Sequence, residues 1–566
     1  MWYKKIIIIS TLIPLFNSQL YFPDEQTGGF KQMQNGREFA AASPVSPSFI
    51  NNLTELRGTS VYEQYVDKII ASGVLKLTLD VQKALIASSP IDYNNIVYSP
   101  VNIAGALALV LLGSNGKTFE EVSTIMGLAT GVDIQSKSQI VHEQFGRMLE
   151  KLQTTSGFDI GRQVNFATAI FVQNNYPIRQ IYKHTAEAVY DSEVLNVDFA
   201  SNPGAAQQII NAWVSERTKG KINDILGELP SGDTKVILAS AMYFKAEWEK
   251  PFFDGTTKRK PFYTNGRHVK SDVMVEMMSN GGLFPYYKDR KLNCEIVGFP
   301  YKGNQTTMYV VIPNNSNKEK LKELEATLTT PEIDRLVSNV KYTGAIIIFP
   351  KMRIDTTIDL KKTLQMLGMK SLFDPSQSNL ALLSPGIGAP VENPVIGDSY
   401  QNPISVGNTG NDVIIFSRSG APVNCTQIFD PTSNVNTCEE VVNGTNTPQT
   451  VTYKKFGNKV GRRIERKITP RIAETLDNIR QYLNRQNDAE KFENPGLYAD
   501  NVIHKVYMDI TESGTEAAAA TSVSLSRDGG RVTVRADVPF FFFIMHEETK
   551  TLLFWGSVNT PTPNFK

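Results

Sequence analysis

Cysteine, histidine and tryptophan are scarce in this 566-residue chain, with three, five and four copies. Three cysteines make no disulfide framework, and three cannot all pair. The histidines (His142, His184, His268, His504 and His546) are scattered without paired ligand spacing, so no metal site is expected. There is no G-x-S-x-G elbow, H-E-x-x-H, C-x-x-C or G-x-G-x-x-G. A Ser/His/Asp triad assembles in space and has no linear signature, but no residue here requires one; neither an enzyme nor a cofactor is expected. The formal net charge of +1 gives no global argument for nucleic acid or a membrane surface as partner. After residue 18 no apolar run is long enough to cross a bilayer.

One apparent phosphate loop also fails. GSNGKT at 113–118 has the right tail in Gly116-Lys117-Thr118, but Leu111 stands where the leading glycine is needed. The segment also follows a helical pattern, where no anion-cradling turn is expected.

What is present begins with residues 1–18, MWYKKIIIISTLIPLFNS. Two lysines, an apolar run of about a dozen residues and small polar residues have the shape of a secretory signal peptide, so the chain is expected to be secreted and extracellular. Secretion gives meaning to the N-x-S/T triplets at Asn52, Asn304, Asn314, Asn424 and Asn443 as glycosylation acceptors. Residues 19–60 are polar, dotted with Gly, Ser and Pro, and read as a mobile arm.

From 61 to 86, Val66, Ile69, Ile70, Val74, Leu77 and Val81 recur at helical spacing. Residues 95–98 read as a short buried strand. Ser99 and Pro100 then cap and start a helix that ends at 113–116, and Thr118 with Glu121 fits a capping box for the next helix. Residues 211–250 read as a helix, a Gly-Lys-Ile turn, a short helix and a buried strand over 236–244.

Near the C-terminus, 512–531 reads ESGTEAAAATSVSLSRDGGR. With period two, Thr515, Ala517, Ala519, Thr521, Val523 and Leu525 form a small-to-apolar face, and the alternate residues are small or polar. Gly514 stands at its start and Arg527-Asp528-Gly529-Gly530 at its tip. The four alanines also suit a helical turn, and such divided preference fits a segment with two states.

ESGTEAAAAT, the tip, and ADVPFFFFI at 536–544 closely resemble the hinge and reactive loop of an inhibitory serpin. The stretch 94–122 is similar to the serpin shutter helix and its following turn; 211–250 to the helix across the main sheet and that sheet's third strand. The likeness continues through MYVVIP (308–313), AIIIFP (345–350), 360–373 and 498–510 to Trp555-Gly556, covering 61–384 and 495–566 in all. It implies an α+β fold with a large central, mostly antiparallel sheet, surrounding helices and an exposed reactive loop within 512–535. It implies a monomeric suicide inhibitor that forms a covalent complex with a serine protease and inserts its cleaved loop into the central sheet. The implied hinge is Glu512, Gly514, Thr515, Glu516, Ala517, Ala518, Ala519, Ala520 and Thr521. The implied shutter is Ser99, Asn102, Ser240 and His504. Ser240 and Ala246 stand where the family usually has Asn and Gly, and Asn102 where it has Ser; Asn102 is expected to supply the amide that Ser240 lacks. The family's usual count from Glu512 puts Asp528 before the scissile bond, a loop one residue shorter puts Arg527 there, and Arg531 is a third candidate. Arg527 is preferred and implies a trypsin-like target, whose pocket pairs an aspartate with a guanidinium.

Residues 385–494 interrupt this pattern as an insertion. Its first half is rich in Gly, Pro, Asn, Ser and Thr, which argues for coil or short irregular strands. Cys425 and Cys438 are expected to pair, closing a small loop with roughly 2–3 kcal/mol of local order, while Cys294 is expected as a buried free thiol. Residues 454–471 carry eight basic residues and one acid, Glu465. They read as a solvated face of a docked helix, as a site for a sulfated polyanion, or as a processing site near Arg462-Arg463 or Arg466-Lys467. A non-inhibitory carrier acting through 385–494 is the rival function.

Overall fold

The computed structural model describes residues 60–88, 95–127, 134–153, 162–271, 273–387, 494–515 and 532–562. It also gives the backbone of short strands at Met33–Gln34, at Arg37–Glu38 and within 406–463. The chain forms two compact units, Met1–Val391 with Asn478–Lys566, and Glu392–Asp477.

In the larger unit, α1 (Ser60–Ser88) leads to β1 (Ile96–Tyr98), α2 (Pro100–Gly113), α3 (Gly116–Ile125) and α4 (Ile134–Gln153). Next come β2 (Gln163–Gln173), α5 (Gln180–Tyr190), β3 (Glu193–Val197), α6 (Pro203–Arg217) and β4 (Val236–Glu247). β5 (Lys258–Pro261), β6 (Met274–Asp289), β7 (Cys294–Pro300) and β8 (Thr306–Pro313) precede α7 (Lys318–Thr327) and α8 (Thr330–Ser338). β9 (Lys341–Pro350), β10 (Met352–Asp359) and α9 (Lys361–Met366) follow. After the smaller unit the chain resumes with β11 (Ala499–Ile510), β12 (Gly514–Thr515), β13 (Val532–Arg535), β14 (Phe540–His546) and β15 (Leu552–Val558).

The strands make two sheets. One has six strands in the order β10-β11-β12-β4-β2-β3. The other has nine, in the order β13-β9-β6-β7-β8-β14-β15-β1, with β5 paired to β6. Every residue of β14 and β15 is buried, as is every residue of α2, so an apolar hairpin and an apolar helix fill the centre. Such continuous apolar runs are what elements covered on both faces require. Ser99 caps α2, its hydroxyl accepting from the Asn102 amide, with Pro100 in the first turn.

Two local expectations are corrected. Asn115, not a Thr118–Glu121 box, caps α3, its Oδ1 accepting from Gly116 N at 2.8 Å. Thr118 Oγ1 accepts from Asn379 N, and Glu121 Oε2 from the backbone N–H groups of Lys370 and Ser371, so this pair pins a distant turn. After α6, the expected short helix is replaced by turns. Asn211 Oδ1 takes the N–H groups of both Ile225 and Leu226 at 2.9 Å, and Thr218 Oγ1 takes that of Ile222. Side chains thereby satisfy the backbone donors that a helix would have used. Cys294, at the start of β7, is buried and free, and burial pushes its thiol up to about 12.

Within the smaller unit, Val406–Thr409 pairs with Asp412–Ile415, and Val435–Val441, Pro448–Phe456 and Lys459–Arg463 form a three-stranded antiparallel sheet. The basic stretch therefore begins as a hairpin, not as a helix. In it Lys454 lies opposite Gly461, Lys455 opposite Val460 and Phe456 opposite Lys459. Cys438 lies on the first strand of that sheet; Cys425, and with it the expected pairing, falls outside the described residues, as do Asn52, Asn424 and Asn443.

Candidate functional site

The six-stranded sheet has a seam of unusual polarity. β4 and β11 run parallel, paired from Val236 with Ala499 to Tyr243 with Tyr507. Above that stretch the chain leaves β11, turns through 511–513 and comes back as β12, antiparallel to both neighbours: Thr515 lies opposite Ile510 on one side and Ala246 on the other. A strand entering between parallel neighbours can be antiparallel to both, replacing one slanted ladder with two better-aligned ones.

The turn is held from several directions. Trp248 N donates to Ser513 O and its indole Nε1 to Thr511 O, both at 3.0 Å, while Phe252 N donates to Glu512 O at 2.7 Å. The Glu512 carboxylate accepts from Thr257 Oγ1 at 2.6 Å and pairs with Lys351 Nζ at 3.1 Å. Burial alone would raise the pKa of this carboxyl; the Thr257 and Lys351 bonds outweigh it and hold it below its ordinary value. Gly514 adopts φ 156°, which side-chain-bearing residues seldom take. Thr515 is fully buried, and its hydroxyl meets the Tyr301 hydroxyl at 2.8 Å. Tyr301 in turn stacks on Trp248, with ring centroids 4.4 Å apart.

Lower in the seam lies the cluster around His504, fully buried on β11. Its Nε2 accepts from Ser99 N at 2.8 Å, and its Nδ1 meets Ser240 Oγ at 2.7 Å. The backbone N–H fixes Nε2 as an acceptor, so the ring is neutral with its proton on Nδ1. Burial lowers its pKa to about 3. Asn102 does not supply the missing amide: both ring nitrogens are taken, and its Oδ1 instead accepts from Thr168 Oγ1 of β2 at 2.9 Å. The Ser240 hydroxyl is long enough for the contact because β4 and β11 are direct neighbours at this register.

α6 lies over the same sheet. Ala206, Ile210, Trp213 and Val214 pack on Phe171 of β2, on Ile237, Ala239 and Ala241 of β4, and on Ile503 of β11. The helix thus covers both sides of the seam. On the far side of the loop, β13 lies parallel to β9, Val532 opposite Ala345 and Arg535 opposite Ile348. Asp537 receives Arg267 Nε at 2.8 Å and pairs with Arg535.

The structure therefore brings Glu512, Gly514 and Thr515 to the top of the seam, and Ser99, Ser240 and His504 to its middle, with Asn102 one step removed. Glu516, Ala517, Ala518, Ala519, Ala520, Thr521, Arg527, Asp528 and Arg531 lie outside the described residues. Sequence reasoning missed Tyr301, Trp248, Thr257, Lys351 and Thr168. All but Trp248, just past β4, come from elements with no local mark of the site. Among the described residues, no group of three or more His, Cys, Asp and Glu could hold a metal ion, and no helix is long and apolar enough to cross a membrane.

A sheet with a closed parallel seam entered only at its upper end, and a loop anchored in that seam at one end and on a second sheet at the other, defines the serpin class. The chain belongs to that family: the profile described as Serpin (serine protease inhibitor) matches residues 72–404 and 474–561. It is similar to serine protease inhibitor 28Dc of Drosophila melanogaster, 29% identical over 560 residues, covering 91% of this chain and 88% of that protein. It is also similar to the leukocyte elastase inhibitor of Xenopus tropicalis, 25% identical, covering 82% and 93%. Among solved structures, human thyroxine-binding globulin in complex with thyroxine superposes with TM-score 0.62 at 19% identity, covering 88% of this chain and 100% of that one. Serpin48 of Tenebrio molitor gives 0.58 at 23%, covering 87% and 98%. At these identities the structural likeness shows the fold alone. The family's members are in general protease inhibitors and not enzymes.

Proposed function

We propose that this protein is a secreted, monomeric suicide inhibitor of trypsin-like serine proteases. The observation that carries the reading is the seam itself, already entered by Thr515 in the polarity that a longer inserted strand would continue. The protease serine attacks the carbonyl of Arg527, an ester forms, and the Arg527–Asp528 peptide bond breaks, its amine leaving with the C-terminal segment. Asp528 and Arg531 are the alternative residues before that bond. The freed strand, with 516–521 following Thr515 as the rest of the hinge, then zips down between β4 and β11. Each Val or Leu it buries adds roughly 1.5–3 kcal/mol, and no proline interrupts the new ladder. The cluster of Ser99, Ser240 and His504, with Asn102 and Thr168 behind it, acts as the shutter that must part.

Secretion fits the first 18 residues and the triplet at Asn304, which is exposed on a turn at φ 56°; Asn314 is half-buried, with its amide on Asn293. The remaining assignments, a Cys425–Cys438 disulfide and a sulfated polyanion at 454–471, rest on the sequence and on the basic hairpin register.

The test is a denaturing gel of the protein mixed with trypsin. A band near the summed mass, abolished by Thr515→Arg, is expected, and mass spectrometry of the released C-terminal peptide names the bond. Cleavage without an adduct, with trypsin and with Asp-cleaving proteases alike, would sink the reading. It would favour the rival one, a carrier acting through 385–494, which has in its favour that 392–477 is a compact unit of its own.

A further inference from the structure

A cavity of about 380 Å³ opens where β6 ends and β7 begins, beside the end of β8. Arg267, Lys288, Asn293, Glu295, Asn314 and Asn315 line it, with Ile312 and Pro313 as its apolar members. The register builds it. Lys288, Glu295 and Ile312 stand in one cross-strand row, and Asn293 and Asn315 turn the chain at the strand ends with φ 50° and 53°, a conformation asparagine tolerates. Ligand cavities of this size are mostly apolar; this one is mostly polar. Arg267 is already paired with Asp537, and Lys288 stands against Glu295, so the lining offers donors and acceptors rather than a charge of one sign.

Part of that capacity is unspent. Glu295 accepts from the Tyr286 hydroxyl at Oε2, 3.1 Å away, leaving Oε1 without a partner among the described residues. Arg267 commits Nε and Nη2 to Asp537 and to Arg535 O, leaving Nη1. Hydroxyl groups that both donate and accept, as on a sugar ring, satisfy such a set. One is offered by the chain itself, because Asn314 heads the acceptor triplet Asn314-Asn315-Ser316. Its Nδ2 donates to Asn293 Oδ1 at 2.6 Å, so one amide hydrogen is committed and the other stands at the cavity wall. Ser316, the third member of the triplet, is buried with its hydroxyl on Pro539 O at 2.6 Å, so a sugar has to be attached before the chain folds.

We propose that Asn314 is glycosylated on the unfolded chain and that the cavity then houses the first sugar ring. The inference rests on the secretion reading, because the donor, an oligosaccharide on a lipid diphosphate, is met in the secretory pathway. In the transfer Nδ2 bonds to C1 of an N-acetylglucosamine, the bond from C1 to the diphosphate oxygen breaks, the lipid diphosphate leaves and the amide loses one proton. The remaining N–H keeps its bond to Asn293, which turns the new N–C bond toward the cavity. Glu295 Oε1, Arg267 Nη1 and Lys288 Nζ then take the ring hydroxyls and the acetamido oxygen. Asn304, on an exposed turn outside this lining, is the internal control.

The test uses the full chain expressed in cultured eukaryotic cells. Glycopeptide mass spectrometry should find N-acetylhexosamine on Asn304 and on Asn314. A glycosidase that cuts the bond between asparagine and sugar, applied to the folded protein, should strip Asn304 and leave Asn314 modified until the protein is denatured. Lys288→Ser and, separately, Glu295→Gln should each speed release from Asn314 roughly tenfold, as the loss of one hydrogen bond implies, with release from Asn304 and the melting temperature unchanged. Lys288 is exposed, so its variant decides the matter even if Glu295→Gln fails to fold. Sugar on Asn304 but not on Asn314 overturns the inference and leaves secretion standing. Equal release at the two sites, or protection that survives both variants, overturns the role of the cavity. A chain that stays in the cell without sugar removes the secretion reading and this inference together.

Discussion

At the scale of single residues, the seam depends on a histidine that must stay neutral. Protonating His504 at Nε2 would break its bond from Ser99 N and bury a charge between two strands. Its pKa falls from 6.5 when unfolded to about 3 when folded. The stability it contributes is therefore full above about pH 6.5 and is lost as pH falls toward 3, because the unfolded chain binds the proton first. By pH 5 this amounts to roughly 2 kcal/mol. His142 and His546, lowered by burial to about 3 and about 4, act in the same direction. The melting temperature should fall steadily between pH 6.5 and 4, and His504→Gln should flatten that fall without abolishing it; an unchanged slope would remove His504 from the account.

At the scale of elements, α6 and the turns after it show how far the sequence could be read. The strand over 236–244, the helix opened by Ser99-Pro100 and the buried run through β14 were legible because continuous apolar stretches and capping residues are local signals. The stretch after α6 was not. Ile222, Ile225 and Leu226 have helical spacing, yet their backbone donors are claimed by Asn211 and Thr218, a competition visible only once the chain has turned back on itself. The same holds at the site: Thr515 was legible from its period-two face, while Tyr301, its hydroxyl partner, lies 214 residues away and nothing in its own neighbourhood marks it. Asn211→Ala should leave the N–H groups of Ile225 and Leu226 without acceptors, at a cost of about 1–3 kcal/mol, measured by urea unfolding. A smaller loss would mean that water reaches those donors.

At the scale of the whole molecule, the fold holds a strand's worth of ladder in reserve. β4 and β11 meet directly over most of the seam, with only Gly514 and Thr515 between their upper ends. Filling the rest would add two antiparallel ladders and bury one face of the loop, roughly 5–8 kcal/mol, most of it from Val523 and Leu525 with smaller amounts from Ala517 and Ala519. Cleavage within 516–531 by a protease that is not trapped should therefore raise the melting temperature by on the order of ten degrees or more; calorimetry of cleaved and intact protein checks this, and equal values would mean that the seam stays shut. α6, which bridges both sides of the seam, has to lift and settle again during such a change. Trp248 sits where that passage begins, its indole N–H on the turn at Thr511 and its ring face on Tyr301, the residue that grips Thr515. Indole emission shifts colour with polarity and contact, so the entrance to the seam carries its own lamp, and the insertion proposed above would register there in light, without a label.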